Sequence, residues 1–580
     1  MTTPRLSGLT LTGFQVFETR TQIPLNRLTL MFGPNSAGKS AVADALRTIF
    51  SMFDYPQTRA TEQSQAKIYR DQALSNNEFS LLRPHWRRVN SSGRPYAPLM
   101  EIDLDIECSS WMYLEQDRGG RRYDVHRLSI LTSHRLHHSP KRHAVGFAAD
   151  NESEISSGPV VQQAESQDDD PDSSFGFDNC HSTLALEING SLLISASTDG
   201  KVVVNLGHDS CFFEKQIPLF RKLCLAYPEV FSSSHELLTI EGFGALLLWE
   251  NKAPQLELHG AEVIAFQEEE VIDSGLLFTT AHTLQRGWEK IWFFVSGIIS
   301  AVQRDFQQVN ASRVIPSREE LTFLRLGDEL DPDFGRQQIF NRGGGYASIA
   351  FSLARESGEG TSSGSTTGTS GSGRQKTEQN AGEKINDWLT GYLFRERGYR
   401  LGYNRWDLEY SSDLEPRRSR DGPRPYLVEL LLRDERGVAL EFTQVGSGIG
   451  YVFPVLAALS GASSLAWVEQ PELHLHPALQ CELGDVVLDA MNRGVGQCIV
   501  ETHSEHFLLR VLRRIRESFS QDKPIKELRW HPKDLAILYF EPNMDGSSAV
   551  RRLRVDEDGE FLDRWPQGFF SERDRELFRE

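Results

Sequence analysis

Three observations predict an α/β fold whose parallel sheet is divided between the two ends of the chain. Near the N-terminus, Gly33-Pro34-Asn35-Ser36-Ala37-Gly38-Lys39-Ser40 fits G-x-x-x-x-G-K-[ST]. It lies between an apolar run, Leu28–Phe32, and a helix start at Ala41–Leu46, the strand–loop–helix context that makes this pattern a phosphate-binding loop. Late in the chain, apolar strand patterns alternate with helical ones, the order that builds a parallel sheet. The long interval between carries antiparallel strand patterns and two polar excursions, and reads as insertions into one split nucleotide-binding domain.

The elements follow in order. Leu9–Phe17 and Leu28–Phe32 read as strands, and Lys39–Phe50 as the helix after the loop. Leu99–Ile106 largely alternates apolar and acidic residues, the pattern of a half-buried strand. Leu184–Ile188 and Leu192–Ser197 flank Asn189-Gly190, a hairpin turn signal, and Lys201–Asn205 extends that antiparallel sheet. Ala148–Asp178 is rich in Ser, Asp, Glu and Gln and reads as an acidic, disordered excursion. Glu214–Tyr227 and Ala281–Gln308 carry helical periodicity, which predicts a largely helical insertion. Gly358–Gly382, mostly Gly, Ser and Thr, reads as a flexible linker.

Beyond it come a helix over Ile385–Leu393 and a hairpin of Tyr426–Leu432 with Val438–Phe442. After Gly446–Gly450 a helix runs to about Leu459. Strand Leu465–Val468, helix Leu479–Met491, strand Cys498–Glu501 and helix Glu505–Phe519 complete the alternation. The expected divisions are 1–147 (P-loop and β subdomain), 148–178 (acidic excursion), 179–357 (hairpin and helical insertion), 358–382 (linker) and 383–580 (the second half of the nucleotide-binding domain).

Composition narrows the partners. The chain has 580 residues, 39% hydrophobic and 25% charged, which suits a soluble globular protein. Its net charge of -19 argues against a generally basic nucleic-acid binder and leaves only local patches. His134-Arg135-Leu136-His137-His138 with Lys141, Arg142 and His143 is one, and His85-Trp86-Arg87-Arg88 is another. Both read first as solvated loops, with nucleic acid as the candidate ligand. Six scattered cysteines without a C-x-x-C pair fit free thiols in a reducing compartment. With no signal peptide and no apolar run long enough to span a bilayer, the expected location is cytoplasmic and off the membrane.

The chemistry starts at the loop. Backbone amides of Asn35, Ser36, Ala37 and Gly38 are placed to turn inward on a phosphate, and the following helix adds partial positive charge. Lys39 reaches the β- and γ-phosphates of ATP, and the Ser40 hydroxyl takes Mg²⁺. Ser464-Leu465-Ala466-Trp467-Val468-Glu469 is an apolar strand ending in an acid, the Walker B arrangement, which makes Glu469 the second Mg²⁺ ligand. Taken alone such a strand is common; Pro471-Glu472-Leu473-His474-Leu475-His476-Pro477 after it is specific. Glu501-Thr502-His503-Ser504 ends another apolar strand, and His503 is placed there to polarise the γ-phosphate.

These motifs together resemble the ABC-type ATPase heads of the RecF/SMC and OLD-like group, including the broad bacterial AAA family ATPases. The resemblance covers about residues 8–50 and 440–515, with a weaker match at Val314-Ile315-Pro316-Ser317-Arg318 and a C-terminal Trp565-Pro566-Gln567-Gly568-Phe569-Phe570. It implies a split head that dimerises around two ATP molecules. The signature segment of one copy then faces the γ-phosphate on the other. Gln444-Val445-Gly446-Ser447-Gly448-Ile449-Gly450 is the counterpart here, with Gly446, Ser447 and Gly448 as the contacting residues.

The chain departs from the family where a catalytic Glu follows the Walker B acid. Gln470 stands there, and an amide orients water but does not take its proton. Gln470, Glu472 and His503 are therefore the catalytic candidates, and slow turnover is expected. OLD-like nucleases add a Toprim domain, for which the residues after His503 leave too little room. The resemblance implies an ATP-driven switch, forming a homodimer or higher homo-oligomer, with a separate nuclease or toxin as effector in anti-phage defence. The alternatives are a DNA-repair ATPase that clamps duplex DNA and, further off, a self-contained nuclease.

Overall fold

The computed structural model describes residues 4–52, 99–108, 113–115, 122–137, 179–197, 201–206, 208, 231–234, 237–241, 243–246, 255–258, 290–303, 306–325, 344–356, 380–408, 426–520 and 529–566. Ala148–Asp178, Glu214–Tyr227, His85–Arg88, most of Gly358–Gly382 and the end of the Trp565–Phe570 tail lie outside them.

The two ends of the chain share one sheet. Its six strands run in the order Gln307–Val309, Leu465–Glu469, Gln497–Glu501, Leu28–Phe32, Leu535–Pro542 and Ser548–Leu553. The first five are mutually parallel and the last is antiparallel. Cys498 and Leu535 both stand opposite Leu28, so the P-loop strand is seated between two strands from the far end of the sequence. All five residues of Leu28–Phe32 and of Gln497–Glu501 are buried, as a parallel sheet covered on both faces requires.

Helices Lys39–Met52, Ser447–Gly461, Pro477–Arg493 and Glu505–Phe519 belong to this α/β unit. The ends of the third and fourth are written in the sequence. His476 caps Pro477–Arg493 by accepting from the Ala478 amide, and Gly494 beyond it takes a positive φ of 146°. Ser504 caps Glu505–Phe519 by accepting from the Phe507 amide at 3.0 Å.

A second sheet of nine antiparallel strands runs in the order Phe231–Ser234, Leu237–Glu241, Lys201–Asn205, Ser191–Ser197, Asn179–Ile188, Arg127–His137, Leu99–Glu107, Arg5–Thr12 and Thr21–Pro24. Asn189 and Gly190, with φ of 52° and 82°, make the tight turn that their sequence predicts. Further strands at Phe243–Leu246 and Gln255–Leu258 form a hairpin. The insertion thus carries helix 290–303, within the predicted Ala281–Gln308, beside strands that periodicity did not reveal. A third sheet sets Tyr426–Arg433 between Thr322–Arg325 and Arg400–Asp407, with the predicted hairpin partner reduced to Ala439–Leu440.

Two expectations are corrected. The His134 cluster does not begin in a solvated loop: His134 is fully buried in strand Arg127–His137, opposite Met100. The signature glycines do not precede their helix. Ser447–Gly450 is its first turn and Gly446 its N-cap. The helix after the linker starts at Ala381, where the Asn380 side chain accepts from the Glu383 amide at 2.8 Å.

Candidate functional site

The P-loop, the Walker B acid and the His503 segment converge on the C-terminal ends of three adjacent strands. Register puts Glu469 opposite Glu501, and Glu501 opposite Met31, two residues before the loop. Ligands of open α/β sheets bind beyond these strand ends.

The loop geometry depends on its glycines. A Cβ on Gly38, at φ 94°, would meet Val16 Cγ2 at 2.4 Å, and one on Gly33, at φ 138°, would meet the Phe540 carbonyl oxygen at 2.4 Å. Ser36 takes φ 66°, so the loop reverses through conformations that side chains resist. Pro34, Asn35, Ser36 and Ser40 are exposed, while Ala37 is buried. Lys39 is only 3% exposed. Its ammonium donates to the carbonyls of Gly33 at 2.9 Å and Pro34 at 2.8 Å, and lies 3.6 Å from Glu501 Oε1.

On the facing side, Gln470 takes φ 44° and its backbone N–H donates to the Glu501 carbonyl at 2.6 Å. This kink turns the chain away from the strand and into the Pro471–Pro477 segment. Glu472 is buried, and its Oε1 accepts from the His503 amide at 2.7 Å. Its Oε2 has no hydrogen-bond partner among the described residues. Burial raises the Glu472 carboxyl above the usual range, opposed by its hydrogen bonds and by Arg313. Burial lowers the His503 imidazole, and the Lys39 charge lowers it further, so His503 is neutral near pH 7.

An open cleft of about 610 Å³ joins these groups. Pro34 and Asn35 line it on the loop side, and Gln470, Glu472, His474 and His503 on the other. All three catalytic candidates therefore meet the P-loop in one cavity. Glu469 is half-buried at its strand end, and its Oε2 accepts from the Ala311 amide at 3.1 Å. No group of three or more His, Cys, Asp or Glu among the described residues is arranged to cage a metal ion. Mg²⁺ at a P-loop does not need one, because it binds through one or two protein oxygens with waters and phosphates. The Ser40 hydroxyl and a strand-end carboxylate are donors of that kind.

Gly446 and Ser447 are exposed at the start of their helix, and no side chain caps it. Gly448 and Gly450 face inward. A Cβ on Gly450 would press Ile315 at 2.8 Å, and one on Gly448 would lie 3.4 Å from the His474 carbonyl. Tyr451 stacks on the His474 ring at 4.2 Å. The His pair thus divides its work: His474 packs on the signature helix and His476 caps the next one.

Sequence reasoning missed Arg313, the residue just before the quoted Val314–Arg318 segment. Its guanidinium donates to four backbone carbonyls: Tyr451 at 2.8 Å, Glu469 at 3.0 Å, Gln470 at 2.8 Å and, locally, Asn310 at 3.5 Å. It ties the signature helix to the Walker B turn. Burial lowers its pKa, and Glu472 and Glu469 offset that effect. The ion pair of Glu501 with Lys39 was missed as well; an acid after an apolar strand was the available signal.

Residues 355–510 match the profile of the family described as "AAA domain, putative AbiEii toxin, Type IV TA system". Residues 531–579 match a family described as a protein of unknown function, DUF3696. No curated protein matches the chain. Solved structures similar to it include the SMC head domain from Thermotoga maritima, at 9% identity and TM-score 0.32, covering 95% of this chain and 100% of that one. An Smc head domain with a coiled coil and joint from Pyrococcus yayanosii gives 10% identity and TM-score 0.33, covering 95% and 97%. None of the described helices is long and apolar enough to cross a membrane. The AAA-domain match contains the signature, Walker B and His503 segments but not the P-loop, which the fold brings to them from residues 33–40.

Proposed function

We propose that this protein is an ATP-binding and slowly hydrolysing ATPase that closes on ATP against a second copy of itself and acts as a switch. The observation that carries this is the cleft shared by Pro34 and Asn35 with Gln470, Glu472 and His503, from opposite ends of the chain. The amides of Asn35, Ser36, Ala37 and Gly38 hold the phosphates, and Lys39 leaves its loop carbonyls for the β- and γ-oxygens. Ser40 and Glu469 hold Mg²⁺, which when bound neutralises charge on the phosphates.

Gln470 orients the attacking water, and its amide does not take the proton. Glu472 lines the same cleft with one carboxylate oxygen unpartnered among the described residues, and neutral His503 lies beside it. Division of the work between a water-holding amide and a half-engaged carboxylate suits low turnover. The exposed, uncapped helix start at Gly446 and Ser447 is a ready phosphate contact for the other copy, and Gly448 backs it from within. Two copies presenting the same two patches make an isologous interface.

The matched family description names a "putative AbiEii toxin" and a toxin–antitoxin system, and the biological reading proposed beside it is anti-phage defence in which a separate nuclease or toxin answers the switch. Sedimentation with a non-hydrolysable ATP analogue and Mg²⁺ tests the closing step. A species of twice the nucleotide-free mass is expected. One unchanged mass over a wide range of protein concentration, with the analogue bound, contradicts it.

A further inference from the structure

We propose that Glu501 is the internal counter-ion of the P-loop lysine, holding the Lys39 charge in the nucleotide-free protein and making nucleotide binding depend on a divalent cation. The inference rests on the ATP-binding reading above and adds a residue that the motifs do not assign.

Three observations carry it. The Lys39 ammonium has three N–H donors; two are spent on the Gly33 and Pro34 carbonyls, and Glu501 Oε1 lies 3.6 Å away for the third. The Glu501 side chain is 10% exposed, so the pair sits largely out of water. Its second oxygen, Oε2, is buried without a hydrogen-bond partner among the described residues. Such an oxygen is costly to leave bare, and Glu469 and Glu472 nearby add like charge. Backbone register fixes the placement, since Glu501 ends the strand between the Walker B and P-loop strands.

A carboxylate here occupies the charge that the phosphates must claim. Lys39 cannot serve both fully, and a nucleotide arriving without a cation meets Glu501 as a repelling neighbour. A cation held at the strand ends offsets that repulsion for Glu501 and for the phosphates alike. Glu501→Gln keeps the shape and removes the charge.

The test is equilibrium titration of ATP into the full-length chain and into Glu501→Gln, each in EDTA and in excess Mg²⁺. The variant is expected to bind ATP in EDTA about tenfold or more tighter than the native chain, with a smaller gain in Mg²⁺. The native chain alone is expected to bind about a hundredfold more weakly in EDTA than in Mg²⁺, a readout that needs no variant. Native affinities that barely differ with and without Mg²⁺, or a Glu501→Gln affinity in EDTA that is equal or weaker, overturn the inference and leave the ATP reading standing. A native chain that binds no ATP in either condition overturns both.

Discussion

The two large sheets bury polar groups to opposite ends. In the nine-stranded antiparallel sheet three such groups are paired within the sheet or beside it: Thr132 donates to the Ile102 carbonyl at 2.8 Å, Ser129 to Asp105, and Asp103 pairs with Arg20 at 3.1 Å. In the six-stranded parallel sheet they gather at the C-terminal strand ends, where Glu472 Oε2 and Glu501 Oε2 have no hydrogen-bond partner among the described residues. A fold tolerates incompletely satisfied buried charge where a ligand completes it. Changes at the parallel sheet's C-terminal strand ends should therefore move nucleotide binding and turnover, and changes away from them should move stability alone.

Short of removing Lys39 itself, the largest effect is expected from Gly38→Ala. Its new methyl would press Val16 at a φ of 94°, and the loop must deform to accept it. ATP affinity should fall about a hundredfold, the equivalent of roughly 1–3 kcal/mol of backbone strain. Unchanged affinity in a binding titration would show that the loop is not the phosphate site.

Next is Gln470→Glu. A carboxylate there can take the water proton, and phosphate release should rise about tenfold or more, within the range of roughly 10²–10⁴ for general-base assistance. If Glu472 is the base, Gln470→Glu is instead neutral or harmful and Glu472→Gln is inactive. Steady-state phosphate release by the two variants separates the cases.

A smaller effect, on stability only, is expected from Trp388→Phe. The indole Nε1 donates to Asp489 at 2.7 Å in a buried contact, away from the cleft. Unfolding free energy should drop by about 1–2 kcal/mol with ATP affinity unchanged. A loss of affinity would mean that the two functions of the fold are coupled.

The smallest effect concerns His134, which burial holds down to about 3. Unfolded, the imidazole titrates near its ordinary value of about 6.5. Between those values the unfolded state binds the extra proton, so His134 contributes stability above pH ~6.5 and loses it as pH falls. The difference in melting temperature between the native chain and His134→Gln should therefore shift against the native chain on acidification. A difference constant over that window would contradict the burial argument.

How much of this was legible depended on whether the signal was local. The P-loop, Glu469 with Pro471–Pro477, and His503 were readable because each motif lies at a strand-to-loop junction within a few residues. The split sheet was readable from the alternation at both ends. Arg313 was not, because the three acceptors that place it at the site, at Tyr451, Glu469 and Gln470, lie far along the chain and, like its local acceptor at Asn310, are backbone carbonyls, which leave no pattern in sequence. The Lys39–Glu501 pair was hidden for the same reason, since it exists only once strands 28–32 and 497–501 are in register. His134 misled because a run of basic and imidazole side chains reads as solvated, while the strand turns His134 inward. Ser447–Gly450 misled because glycine is a poor helix former, yet its small size lets the first turn lie against Ile315 and His474.

The central claim is that residues 33–40 and the strand ends at Glu469 and Glu501 form one ATP site. Equilibrium titration of ATP and Mg²⁺ into the native chain and into Lys39→Ala tests it most directly. Lys39 is the buried cation of the loop, and its removal leaves the phosphates facing Glu501 without it. Saturable binding by the native chain and none by Lys39→Ala is the predicted result. Equal binding by both, with the variant shown to be folded, would contradict the account.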